Sequence, residues 1–312
     1  MIIDPRQIQA LQAVYSEGSF QAAARMLNVT PAAITLRVKA LESQIGAMVL
    51  IRGKVLRLTP QGQAIMAYAQ RSRLLEDELL RSLSLDTQTF DGKEHWSSLR
   101  VAINTDSLAT WFLPGVHGDL TARNILLDIV VDDQDHTHEA LAKGEVVGCV
   151  TTLAKPMKGC VAEPLGVMSY RGLANPEFLR SCRSPKGVLS VHKLLSRPAV
   201  IFNRKDALHD QFIQSYLGLS QPTYPRYFVP SLDAFETAIE LGLGWGVVPA
   251  PVRRDERTPA PLRAHSIDQL EEVVPHARLQ VSLYWQHWER ESEPAQRLTQ
   301  AVMRAARIYL RP

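Results

Sequence analysis

Cysteine is scarce: Cys149, Cys160 and Cys182 are the three in 312 residues. An odd, sparse set with no C-x-x-C excludes a disulfide framework and a spaced structural zinc site, so all three read as unpaired thiols. Long apolar runs are absent too. Nothing approaches the roughly 18 uninterrupted apolar residues of a membrane span. The opening Met1-Ile2-Ile3-Asp4-Pro5-Arg6 lacks the basic-then-apolar order of a secretory leader, which leads us to expect a cytoplasmic protein. G-x-S-x-G, H-E-x-x-H and phosphate-loop signatures are missing, so no enzyme and no cofactor are expected. His136 and His138 form H-x-H but have no third ligand at metal-site spacing, and no metal is expected either. Neither sign of charge dominates: 35 Lys and Arg against 32 Asp and Glu leave a net of +3.

What charge there is lies unevenly. Between Arg25 and Arg57 stand Arg25, Arg37, Lys39, Arg52, Lys54 and Arg57, against a single acid, Glu42. A local basic patch on a nearly neutral chain is the footprint of a nucleic-acid-binding module beside a module of another kind. A chain of 312 residues has room for two or three compact units.

The first 60 residues read as helices followed by a small hairpin. A helix over Gln7–Ser16 carries Ile8, Leu11, Gln12 and Tyr15 on one face and stops at Gly18. Ser19 caps a second helix through Ala22, Ala23, Ala24 and Leu27. After the Asn28-Val29 turn, Thr30 caps a third, with Pro31 at its first position and Ile34, Val38, Leu41 and Ile45 as its core face. Val49–Arg52 and Val55–Leu58, around Gly53-Lys54, form a wing. Helix, tight turn, helix and wing is a device for laying one helix in the major groove of double-stranded DNA.

Thr59-Pro60 then starts a long helix to about Leu83. Its seven-residue repeat (Ile65, Tyr68, Ser72, Leu75, Leu79, Ser82) points to a dimerisation coil or to packing on its own domain. Residues 84–98 read as a hinge. From Leu99 onward strands and helices alternate, which predicts a parallel-sheet α/β architecture with its ligand site at strand C-termini. The strands expected include Leu99–Ile103, Ile125–Val131, Val146–Val150, Leu165–Leu173 and Leu279–Tyr284. Helices are expected near Leu108–Leu120 and Thr137–Lys143.

The stretch Ala13–Thr30, together with Arg37–Glu42, Gly46, Leu50-Ile51-Arg52 and Leu58–Gly62, closely resembles the N-terminus of the LysR-type transcriptional regulators. The alternation beyond residue 99 fits that family's effector domain. Val101–Pro114, Lys143–Gly148 and Tyr284-Trp285 resemble its lysine/arginine-responsive (ArgP/LysG-type) subgroup. The resemblance implies a winged helix-turn-helix (1–59), a linker or dimerisation helix (60–84), a hinge (85–98) and a periplasmic-binding-protein-like effector domain (99–312). Subdomain I of that domain would take about 99–165 and 269–312, and subdomain II about 166–268. It further implies promoter DNA as partner, a homodimer pairing into a homotetramer, RNA polymerase as a further contact, and a basic amino acid as effector. A different small-molecule effector, or a broadly acting chromosomal DNA-binding protein, remain alternatives.

The family's polar residues, often Gln or Ser, are replaced here by Pro31, Ala32 and Leu36. Those side chains cannot hydrogen-bond base edges, though Ala32 or Leu36 can touch a thymine methyl. Expected DNA contacts are Thr30, Thr35, Arg37 and Lys39 on the helix and Arg52, Lys54 and Arg57 on the wing. Expected effector contacts are Ser107 and Thr110 at a helix start, where amide N–H groups favour a carboxylate. Asp133 ends a strand and suits an ammonium or guanidinium, Asp206 follows a strand and resembles an acid of the subgroup, and Ser231 and Asp233, again after a strand, would face the cleft from the other side; Ser and Asp there also make ordinary helix caps.

Overall fold

A computed structural model describes residues 3–51, 53, 56–83, 96–132, 140–141, 144–250 and 269–311. The chain divides into two compact units, Met1–His95 with Glu139–Val147 and Arg290–Glu293, and Trp96–His138 with Gly148–Glu289 and Pro294–Pro312.

In the first unit, helices start and stop where the sequence carries capping residues. α1 (Pro5–Glu17) begins at Asp4, whose carboxylate accepts from the Arg6 amide at 2.8 Å, and ends at Gly18 with φ +69°. α2 (Phe20–Met26) is capped by Ser19, which accepts from Ala22 N at 3.1 Å. Asn28, at φ +53°, makes the turn. α3 (Pro31–Ile45) is capped by Thr30 and ends at Gly46 with φ +74°. β1 (Leu50–Ile51) pairs antiparallel with β2 (Arg57–Leu58), forming the wing. α4 (Pro60–Leu83) follows.

One core holds these pieces together. Leu11, Val14, Ala23, Ala24, Ile34, Val38, Leu41, Val49, Leu50 and Ile65 are buried in it. One correction to the sequence reading follows. The core face of α1 is Ala10, Leu11, Ala13 and Val14, because alanines let α2 and α3 approach closely, while Tyr15 stands at the edge. Ile65, at the start of the seven-residue repeat, packs into this core, in line with the reading of that helix as packed on its own domain.

The second unit is one curled sheet with two lobes. The strand order is β4 (Ile125–Asp132), β3 (Ser97–Asn104), β5 (Gly148–Thr151), β11 (Leu279–Trp288), β6 (Cys160–Ala174), β9 (Trp245–Pro249), β7 (Ala199–Ile201), β8 (Arg226–Phe228), with β10 (Glu271–Glu272) on β6. Each end is parallel: β3 with β4 and β5, and β7 with β8 and β9. The middle is antiparallel, β11 pairing with β5 and with β6, and β6 with β9. The sheet is therefore mixed: parallel within each lobe, as the alternation of strands and helices predicted, and antiparallel in the middle. Helical crossovers dictate parallel pairing within each lobe, whereas two long strands that run from lobe to lobe must pair antiparallel.

β6 is also longer than its apolar run, starting at Cys160. Glu163-Pro164 interrupts the sequence pattern, and the register shifts at Leu283/Tyr284, leaving Leu165 bulged opposite. Gly166 follows at φ +124°, where a Cβ would lie 2.3 Å from the Arg311 carbonyl oxygen.

Helices pack on this sheet: α5 (Thr105–Ser107), a π-helical turn (Leu108–Phe112) and α6 (Leu113–Ala122), then α7 (Pro176–Cys182), α8 (Val191–Leu195), α9 (Leu208–Leu217), α10 (Leu232–Glu240) and α11 (Glu293–Tyr309). Pro114 explains the widened turn, since it has no N–H for the Thr110 carbonyl and its ring crowds that oxygen. Most of the helix expected over 137–143 lies outside the described residues. All three cysteines are free, and burial pushes the Cys149 thiol up to about 12. Among the described residues no helix is long and apolar enough to cross a membrane.

Candidate DNA-reading helix and effector cleft

α3 turns one apolar stripe to the core. Ile34, Val38 and Leu41 face the core and are 0%, 1% and 0% exposed. At 100° per residue the opposite stripe is Ala32, Leu36, Lys39 and Ser43, all exposed. Leu36 is 70% exposed. The two expected hydroxyls are engaged within the helix: Thr30 Oγ1 accepts from Ala33 N at 3.2 Å, and Thr35 Oγ1 donates to Pro31 O at 2.9 Å. Arg37 is half-buried, and Lys39 and Arg57 are exposed. Glu42, the acid among these cations, turns a carboxylate oxygen to the Val49 amide at 3.0 Å, so its charge is held at the base of the wing. Arg52 and Lys54 lie outside the described residues.

The second unit has a cleft whose space amounts to about 580 Å³, its open mouth included. One wall is the end of β3 and the start of α5, with Asn104, Thr105 and Asp106. The other is the turn after β7, with Phe202, Lys205, Asp206, Ala207 and Leu208. Leu232 and Phe235 of α10 and Val247 and Pro249 of β9 supply an apolar remainder. Chain topology explains the placement, because both walls lie where parallel strands end and helices begin.

Each acid is fixed from behind. Tyr170 Oη donates to Asp106 Oδ2 at 2.8 Å; Tyr170 is fully buried on β6 and pairs in register with Pro249. The Leu208 amide donates to Asp206 Oδ1 at 2.8 Å, and Asn203 Oδ1 accepts from Lys205 N at 2.7 Å, shaping the turn. Behind Leu208, His209 is buried, and its Nε2 accepts from Val247 N at 3.1 Å. Burial lowers its pKa to about 3, with Asp210 opposing, so the ring is neutral at physiological pH. Two carboxylates against one ammonium leave the cleft's charged lining net negative.

Of the expected effector contacts, Asp206 lines the cleft. Ser107 and Thr110 are buried, and the Thr110 hydroxyl donates to the Asp106 carbonyl at 2.6 Å. Ser231 and Asp233 are exposed at the start of α10, and the Ser231 side chain makes no cap hydrogen bond. Asp133 lies outside the described residues. Sequence reasoning passed over Thr105, Asp106 and Lys205. The clue for Asp106 was its place directly after the β3 strand, where attention went to the hydroxyls that follow.

A winged helix-turn-helix unit followed by a two-lobed α/β unit with an acidic cleft defines a ligand-responsive DNA-binding regulator. The chain belongs to the lysR family of bacterial regulatory helix-turn-helix proteins, matching the helix-turn-helix of that family over residues 5–63 and the LysR substrate binding domain over residues 94–307. It is 34% identical over 304 residues to the HTH-type transcriptional regulator LysG of Mycobacterium tuberculosis H37Rv, covering 97% of this chain and 94% of that one. The crystal structure of ArgP from Mycobacterium tuberculosis superposes with a TM-score of 0.82 at 33% identity, covering 100% of this chain and 99% of that one. Full-length LysG from Corynebacterium glutamicum with bound effector Arg gives 0.73 at 32% identity, covering 99% and 100%.

Proposed function

We propose that this chain is a promoter-binding transcriptional regulator whose cleft takes a basic amino acid, arginine or lysine. The observation that carries the reading is the pair of carboxylates, Asp106 and Asp206, on opposite walls of one cleft. A side-chain guanidinium or ammonium and an α-ammonium find acceptors there, while Lys205 and the amides opening α5 suit the α-carboxylate. A ligand touching both lobes favours one lobe arrangement over another, and only such differential affinity can move the equilibrium. The relative whose structure carries bound Arg supports this choice.

On the DNA side, α3 reads the major groove, with Thr30, Thr35, Arg37 and Lys39 at bases or phosphates and Arg52, Lys54 and Arg57 of the wing at phosphates. α4, with Tyr68 53% exposed, is the element on which a homodimer would form, two of which would pair into a cytoplasmic homotetramer. Calorimetric titration tests the ligand. Arginine or lysine should bind, and citrulline, which replaces the guanidinium by a neutral urea, should bind at least about tenfold more weakly, the loss expected when a buried charge pair goes unmade. Equal binding of citrulline, or no heat with either basic amino acid, sinks this reading.

A further inference from the structure

A single exposed leucine on a protein surface is ordinary. Leu36 differs in what surrounds it. It stands in the centre of the outward stripe of α3, directly opposite the core stripe Ile34, Val38 and Leu41. Its neighbours one turn back are the exposed Ala32 and the half-buried Ala33, and one turn on are Lys39 and Ala40, both exposed. Thr35 beside it gives its hydroxyl proton to the Pro31 carbonyl, and the Thr30 hydroxyl accepts from the Ala33 amide. The middle of this face thus offers hydrocarbon, where a base-reading helix ordinarily offers donors and acceptors.

Its surroundings are cationic. Lys39 lies on the same stripe, Arg37 is half-buried next to Leu36, Arg57 is exposed on the wing, and the Glu42 carboxylate is turned to the Val49 amide. An apolar stripe framed in this way fits a polyanion that carries apolar features on its floor. In the major groove that feature is the C5-methyl of thymine. Guanine O6 and N7, adenine N7 and N6 and cytosine N4 are polar, and pressing hydrocarbon on them strips water from groups left without a partner.

We propose that Leu36, assisted by Ala32, is a specificity-determining residue that reads thymine methyl groups, so that the operator is recognised through apolar contact at these positions. The proposal rests on the reading of α3 as the groove helix. It also specifies what that helix selects: duplexes with thymine at the fixed positions facing Leu36, and no stringent guanine requirement there.

The test uses the full-length protein. Duplexes are selected from a random library, and each enriched thymine is then replaced by 2′-deoxyuridine, which removes the methyl and nothing else. Fluorescence anisotropy reads the affinity. Each methyl facing Leu36 should be worth about fourfold, the value of one buried methyl-sized group. In Leu36→Gln that uridine penalty should vanish, and selection should shift toward bases offering hydrogen-bond partners. In Leu36→Ala it should shrink. Leu36 is outside the core, so neither variant disturbs folding. Equal affinity for thymine and uridine duplexes overturns the proposal, as does a penalty undiminished in both variants. If no duplex is enriched at all, the groove reading of α3 falls and the proposal falls with it.

Discussion

The outward face of α3 takes its side chains from one unbroken stretch, Pro31 to Ser43, whereas the cleft draws on residues near 104, near 205, near 233 and near 248. The first is fixed by helical periodicity and by one small core beneath it. The second exists only once two parallel lobes are joined by β6 and β11. A face built on one element can change its chemistry residue by residue, as Pro31, Ala32 and Leu36 illustrate. A cleft shared by two lobes responds as a whole, because displacing either wall separates its acids. The difference assigns the two parts their tasks, reading DNA and sensing a ligand.

If the cleft works as a two-walled clamp, Asp106→Asn and Asp206→Asn should each lower arginine affinity by about 30- to 100-fold, the cost of truncating one partner of a buried charged pair. Binding to a selected duplex without arginine should stay within about twofold. A variant that changed DNA affinity as much as arginine affinity would break the division.

His209 provides the next largest effect. Its pKa is lowered in the folded chain from an ordinary 6.5 to about 3, so the unfolded chain binds the proton first. Stability from this group is complete above about pH 6.5 and is lost as pH falls toward 3. Between pH 7 and 5 the cleft-bearing unit should lose about 2 kcal/mol from this source. Thermal melts at the two pH values check this, and His209→Asn should flatten that part of the slope whatever its absolute stability.

The smallest effect belongs to the DNA face. Lys39→Ala should weaken binding by a similar factor on all duplexes and reduce the salt slope, measured from 50 to 200 mM, by about one. A loss confined to one sequence would instead make Lys39 a base contact.

How much of this could be read from the sequence follows the same contrast. The caps Ser19 and Thr30, the stops Gly18 and Gly46 and the core stripe of α3 are local signals, and they placed the helix-turn-helix closely. For Ile65 the heptad pattern left two readings, a coil seam or packing on its own domain, because a repeat does not reveal which core a helix side packs on. The parallel lobes were legible in the alternating elements, which give the crossovers inside each lobe but not the direction of the strands between lobes. In the cleft, Asp206 was picked out by its position after a strand. Asp106 was passed over because its value depends on Tyr170, which stands 64 residues away and holds it through one hydrogen bond. The Thr110 hydroxyl looked available, but burial and its 2.6 Å bond to the Asp106 carbonyl tie it to the helix, whereas the buried Ser107 hydroxyl has no hydrogen-bond partner among the described residues.

The most direct test of the central claim is the affinity for one selected duplex, measured by anisotropy with and without saturating arginine, in the wild-type chain and in Asp206→Asn. An effector acting through the two-walled cleft predicts a shift of at least about fivefold in the wild type, the low end of ordinary allosteric coupling, and none in the variant at the same arginine concentration. The same shift in both proteins would contradict it.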